Sequence, residues 1–189
     1  MTGDGLRART SAVEETRDLA AALAELARPS DLLVLVGDLG AGKTAFTQGF
    51  GRGLGVDEQI TSPTFALVRS YTGRLDLYHL DVYRLDQVAE ALDLGLSELL
   101  DDGSVTIIEW GDRVAPVLPQ DYLEVHLRFA GAGTGAATGD EAAARAAAEA
   151  QADVREIELV PVGPRWSARV RAMGTAISRW VPTEEADAC

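Results

Sequence analysis

Lysine is nearly missing from this chain: of 17 basic residues in 189, one is lysine, Lys43, and the other sixteen are arginine. That scarcity excludes the Asn-Lys-x-Asp signature with which GTPases read guanine. Cysteine is as rare. Cys189 stands alone and closes no intramolecular disulfide, which suits a reducing compartment. With two histidines there is no Cys/His cluster, so zinc and iron centres are excluded. Positive charge is outweighed by 30 acidic residues, giving a formal charge of -13. A direct grip on a nucleic-acid backbone needs clustered Lys and Arg and is disfavoured, although a role in nucleic-acid metabolism through a partner stays open. Met1 to Ser11 holds no apolar core of a signal peptide and no run approaches the length of a membrane span, so a cytoplasmic protein is expected.

What the chain does have is one long apolar run that breaks into glycines. Leu32 to Val36 reads as a buried strand, followed by Gly37-Asp38-Leu39-Gly40-Ala41-Gly42-Lys43-Thr44. Gly37, Gly42, Lys43 and Thr44 match G-x-x-x-x-G-K-[ST], in which backbone N–H groups cradle phosphates, lysine reaches the β/γ oxygens and the hydroxyl meets Mg²⁺. Ala45 to Phe50 can continue as a helix whose positive N-terminus faces the same anion. The single lysine gives the match weight. A compact ammonium on a thin stem fits inside a loop of amides better than a guanidinium fork does.

Around this centre, Ser11 and Glu14 form a capping-box pattern, and Leu19, Leu23 and Leu26 predict a helix over 12–27, stopped by Pro29. Gly49, Gly51, Gly53 and Gly55 suit a helix end. Residues 66–71 and 75–83 read as a β-hairpin around Thr72-Gly73-Arg74, with His79, Asp81 and Tyr83 on one strand face. A helix with an interruption at Gly95 is expected over 86–100. Ser104 to Trp110 reads as a buried strand ending in Glu109, where phosphate-loop enzymes carry an acidic residue beside Mg²⁺. Tyr122 to Phe129 alternates with Leu123, Val125, Leu127 and Phe129 inward and His126 at the surface. Residues 130–153 form an Ala/Gly-rich insertion, 154–162 a strand able to pair with 122–129, 164–180 a final helix and 181–189 an acidic tail. With 47% hydrophobic residues, one domain spanning 1–189 is expected, its core 11–129 plus 154–180.

The loop alone leaves kinases, motor ATPases and other nucleotide proteins open. Thr61-Ser62-Pro63-Thr64-Phe65, His79-Leu80-Asp81-Val82-Tyr83-Arg84 and Ile107-Ile108-Glu109-Trp110, in this order after the loop, resemble the TsaE family of small bacterial ATPases over about 11–129. The resemblance implies an α/β, three-layer, phosphate-loop fold with a mixed, largely parallel sheet. It implies slow ATP hydrolysis with Mg²⁺ that supports threonylcarbamoyladenosine modification of tRNAs reading codons that begin with A. The partners implied are a threonylcarbamoyl transferase (TsaD-like) and its paired scaffold subunit (TsaB-like), with tRNA reached only through that complex.

Carried over by position, Gly37, Asp38, Leu39, Gly40, Ala41, Gly42, Lys43 and Thr44 would hold the ATP phosphates, with Lys43 on β/γ and Thr44 on Mg²⁺. Glu109 would be the second magnesium-side carboxylate. Thr61, Ser62 and Thr64 would form a switch loop sensing the γ-phosphate, or else an ordinary polar turn. Asp81 would orient the attacking water or hold a magnesium-bound one; the alternative is a strand-end Asp in a turn with Tyr83 in the core. Trp110 faces the nucleotide or a partner, or merely packs. Ser11, Glu14 and Thr16 would approach the adenine or ribose, while capping already accounts for Ser11 and Glu14. Arg84 and Arg113 are charge stabilisers or surface ions. Two rivals from other classes are a small-molecule kinase, which needs an acceptor pocket and an arginine-bearing lid, and a non-catalytic module gated by nucleotide occupancy.

Overall fold

The computed structural model describes residues 5–63, 67–84, 102–130 and 153–182. In chain order they form β1 (Leu6–Thr10), α1 (Val13–Ala24), β2 (Leu32–Val36), α2 (Lys43–Gly53), β3 (Val68–Tyr71), β4 (Leu77–Asp81), β5 (Val105–Glu109), a 3-10 turn (Gly111–Val117), β6 (Tyr122–Phe129), β7 (Arg155–Val162), α3 (Pro164–Ser167), α4 (Val170–Ala176) and a last 3-10 turn (Ser178–Trp180). Thr64, the helix expected over 86–100, nearly all of the 130–153 insertion and most of the acidic tail lie outside the described residues.

Seven strands make one sheet in the order β1-β7-β6-β2-β5-β4-β3. β2 sits between β5 and β6, parallel to both, and β4 runs parallel to β5. A strand buried on both faces wants an unbroken apolar run, and Leu-Leu-Val-Leu-Val supplies it. The outer pairings, β1 with β7, β7 with β6 and β3 with β4, are antiparallel. The sheet is therefore mixed, with its parallel strands at the centre, and the fold is α/β.

Period-two alternation divides the core. Leu33, Leu35, Ile107, Leu123 and Val125 face α1 and α2, where they meet Leu19, Leu23, Phe46 and Phe50. Leu32, Val34, Leu80 and Ile108 face the opposite side with Val114 of the first 3-10 turn.

Four expectations need correction. β1 was not foreseen in Met1 to Ser11; its Ala8 and Thr10 are buried while Arg7 and Arg9 are exposed, so the strand reads as polar from sequence. Gly49, Gly51 and Gly53 do not end α2, which runs through them; Gly55 does, at φ 75° just after the cap Leu54, with its N–H donating to the Arg52 carbonyl and the Val56 N–H to the Gly51 carbonyl. Helix propensity is overridden by packing here: a Cβ at Gly49 would strike the Arg17 carbonyl oxygen and one at Gly53 the Ala21 carbonyl oxygen, both on α1. The capping box is replaced by a one-residue shift, because Ser11 N and Oγ both donate to Glu15 Oε2, at 2.7 and 2.9 Å, whereas Glu14 pairs with Arg17 and Arg52. The final helix is broken at Arg169, whose guanidinium forms a bidentate pair with buried Asp31 at 2.6 and 2.8 Å.

Candidate functional site

The strand order puts the carboxyl ends of β2, β5 and β4 side by side, and the loop after β2 opens over them. Two glycines shape that loop. At Gly37 a Cβ would collide with the Leu127 carbonyl oxygen, so the chain can pass β6 only as glycine. Gly42 takes φ 106° as the residue before α2, a conformation that L side chains resist. α2 starts with no side-chain cap and no acidic residue in its first turn, leaving its first N–H groups for an incoming anion.

Lys43 is 5% exposed. Its Nζ donates to the carbonyl oxygens of Gly37 at 2.7 Å and Asp38 at 2.9 Å and lies 3.5 Å from the centre of the Trp110 ring. Burial pushes its pKa below the ordinary lysine value, and the charges of Glu109, Asp81, Asp38 and Asp112 oppose that shift. A phosphate would supply the counter-charge that the loop carbonyls provide only in part.

Register aligns Asp81 of β4 with Glu109 of β5, and His79 with Ile107, so His79, Asp81 and Glu109 all face α2. Glu109 Oε1 accepts the Thr44 hydroxyl at 2.8 Å and lies 2.8 Å from His79 Nε2. His79 is fully buried and its Nδ1 has no partner among the described residues. The sequence placed His79 on this face without its bond to Glu109. Asp81 is also buried; Ser62 Oγ donates to its Oδ2 at 2.9 Å, and the Tyr83 N–H donates to its Oδ1 at 3.0 Å. That second bond is the turn foreseen as the alternative for Asp81, but Tyr83 is exposed, not in the core.

A cavity of about 520 Å³ opens here, lined by Gly40, Gly42, Lys43, Thr44, Ser62, Asp81, Glu109 and Trp110, with Val13, Leu39 and Tyr83 at its apolar side. Trp110 adopts φ 62°, and its ring lies 4.9 Å from that of Tyr83. Arg113 donates to the Tyr83 carbonyl at 2.7 Å and stands over the same ring. Ser11 and Thr61 do not line the cavity: Ser11 is bound to Glu15, and the Thr61 N–H donates to the Tyr71 hydroxyl. Thr16 is buried against Thr10, its Oγ1 2.9 Å from Thr10 Oγ1. Val13 is the part of the first helix that does reach the cavity.

The donors fit a phosphate-bound Mg²⁺. Thr44, Glu109 and Asp81 all offer oxygen atoms, and Mg²⁺ sites generally use one or two carboxylates together with substrate phosphates and water. Among the described residues no group of three or more His, Cys, Asp or Glu side chains forms a protein-only cage.

One contact had no signal in the sequence. Arg155, which opens β7, donates through Nε to the Ala41 carbonyl at 3.1 Å and through a terminal nitrogen to the Gly40 carbonyl at 3.4 Å. Its guanidinium lies 4.2 Å from the centre of the Phe129 ring. A separate groove of about 430 Å³ along β1, β6 and β7 is lined by Arg7, Arg9 and Arg128 beside Glu156 and Glu158, and shares no described residue with the cavity at Gly40–Thr44. No helix among the described residues is long and apolar enough to cross a membrane.

A family model described as "Threonylcarbamoyl adenosine biosynthesis protein TsaE" matches residues 10–134. A "tRNA threonylcarbamoyladenosine biosynthesis protein TsaE" from Bacillus subtilis is 45% identical over 127 residues, 67% of this chain and 79% of that one. The protein of the same name from Treponema pallidum is 41% identical over 128 residues, 68% of this chain and 95% of that one. The crystal structure of Bacillus subtilis YdiB superposes with a TM-score of 0.71 at 34% identity, covering 93% of this chain and 97% of that chain.

Proposed function

The chain belongs to the TsaE family of threonylcarbamoyladenosine biosynthesis proteins, and from that premise we propose that it binds ATP and Mg²⁺ at the Gly37–Thr44 loop and hydrolyses ATP slowly. Hydrolysis serves the repeated turnover of a TsaD-like threonylcarbamoyl transferase with its TsaB-like scaffold subunit, in the cytoplasm, with tRNA held by that complex. The observation that carries this reading is the placement of the only lysine: buried, its ammonium hydrogen-bonded to two loop carbonyls, at the mouth of an uncapped helix and next to Thr44 and Glu109. The acidity of the chain agrees with indirect contact to tRNA.

Each residue then has a part. Lys43 exchanges the Gly37 and Asp38 oxygens for β/γ-phosphate oxygens. Thr44 and Glu109, now joined by a hydrogen bond, would hold Mg²⁺ between them, with His79 keeping the Glu109 carboxylate in place. Bound Mg²⁺ neutralises charge developing on the phosphates. Asp81, fixed by Ser62 and the Tyr83 N–H, orients a water; phosphoryl transfer needs position more than a strong base, so an ionised Asp suffices. The Thr61–Thr64 segment reports the γ-phosphate to Asp81 through Ser62.

The test is phosphate release from ATP by the purified chain, alone and with the transferase complex, for wild type and Lys43→Ala. Slow release, accelerated by the complex and lost in the variant, is expected. Nucleotide binding with no release under either condition would replace this reading with the gated module, and phosphate transfer to a small metabolite with a kinase.

A further inference from the structure

We propose that Arg155 is a positioning residue of the nucleotide site, a clamp that holds the phosphate loop in its binding shape from outside the cavity. The inference rests on the reading of Gly37–Thr44 as the phosphate cradle but extends the machinery beyond the family match, which ends at residue 134.

The loop is costly to order. Gly37, Gly40 and Gly42 all take positive φ, and glycine gives up the most backbone freedom when fixed. From inside, Lys43 ties the Gly37 and Asp38 carbonyls, and the Ala41 N–H bonds the Asp38 carbonyl. From outside, Arg155 ties the Gly40 and Ala41 carbonyls. The inner tie ends at the moment of binding, because Lys43 cannot serve those carbonyls and the phosphates together. Arg155 does not line the cavity and has no such conflict. In a trans peptide the C=O and the next N–H point to opposite sides, so fixing the Gly40 and Ala41 carbonyls fixes the Ala41 and Gly42 amides.

The chemistry suits arginine. A planar fork presents Nε and a terminal nitrogen to two successive carbonyls while its face stacks on Phe129, a combination an ammonium does not reproduce. Arg155 is itself seated by pairing with both Phe129 of β6 and Thr10 of β1.

The experiment measures ADP affinity, without Mg²⁺, by Trp110 fluorescence in the full chain, alongside Tm, for wild type, Arg155→Ala, Arg155→Lys and Phe129→Leu. Two hydrogen bonds at about 1 kcal/mol each, about 2 kcal/mol together, correspond to a Kd rise of roughly thirtyfold for Arg155→Ala. Arg155→Lys should recover part of this. Phe129→Leu, which removes the ring against which the guanidinium stacks, should lower Tm and raise Kd by clearly less than Arg155→Ala does. An unchanged Kd in Arg155→Ala, or equal Kd changes in Arg155→Ala and Phe129→Leu, overturns the clamp. Failure of the wild type to bind ADP would instead overturn the nucleotide reading on which it rests.

Discussion

Replacing His79 by leucine separates holding the site from holding the fold. His79 Nε2 is 2.8 Å from Glu109 Oε1, and the bond is buried at both ends. A hydrogen bond to a charged group contributes about 1.5–3 kcal/mol, which His79→Leu removes. The same substitution also removes the unpartnered Nδ1, whose burial costs about 1–3 kcal/mol, so the two changes offset. Net stability should move by no more than about 1–2 kcal/mol, a Tm change of a few degrees at roughly 2–4 °C per kcal/mol for a chain of this size. Function should not be spared. With the carboxylate of Glu109 free to turn, the Mg²⁺ concentration for half-maximal nucleotide binding should rise about 10–100-fold, the usual range for loss of a ligand's supporting partner. His79→Gln, whose amide nitrogen reaches the same position, should recover most of that loss. Trp110 fluorescence against Mg²⁺ at fixed ADP, with a thermal melt of each variant, gives both readings. A collapse of Tm with unchanged Mg²⁺ dependence would refute the reasoning, and so would a glutamine variant no better than leucine.

Three further outcomes follow from the same geometry. Asp81→Ala should keep ATP affinity within a fewfold and lose most phosphate release in a single-turnover assay; loss of both together would assign Asp81 to folding. Nucleotide binding should weaken as pH rises, starting below the ordinary lysine range, because burial lowers the pKa of Lys43 and only its charged form binds phosphate; ADP affinity against pH by calorimetry reads the midpoint. Gly49→Ala should cost about 1–3 kcal/mol, a Tm fall of roughly 2–12 °C, because its Cβ meets the Arg17 carbonyl where α1 and α2 touch; a neutral melt would contradict that packing.

The shape of the Gly37–Thr44 loop was legible because its signal is local: the glycines, the lysine and the threonine lie in one short run between an apolar strand and a helix. The shared face of His79 and Asp81 followed from strand alternation, and Glu109 from its place at a strand end. Contacts set by distant parts of the chain left no such trace. Arg155 stands 114 residues from Ala41 and meets it only because β7 returns beside β6. β1 hid for the same reason: an Arg-rich stretch becomes a strand when its partner, β7, arrives near the other end of the chain. The glycines of α2 misled because their effect on an isolated helix is outweighed by the close approach they allow to α1. Ser11 bonds a partner one position beyond the one its capping pattern pointed to, and it does not line the cavity.

The central claim is that this chain supports tRNA modification through its phosphate loop. The most direct test is the threonylcarbamoyladenosine content of total tRNA, by mass spectrometry, in cells depleted of the protein and resupplied with wild type or Lys43→Ala. The modification should fall on depletion, return with wild type and stay low with the variant. Unchanged modification after full depletion, or full recovery with Lys43→Ala, would contradict the account.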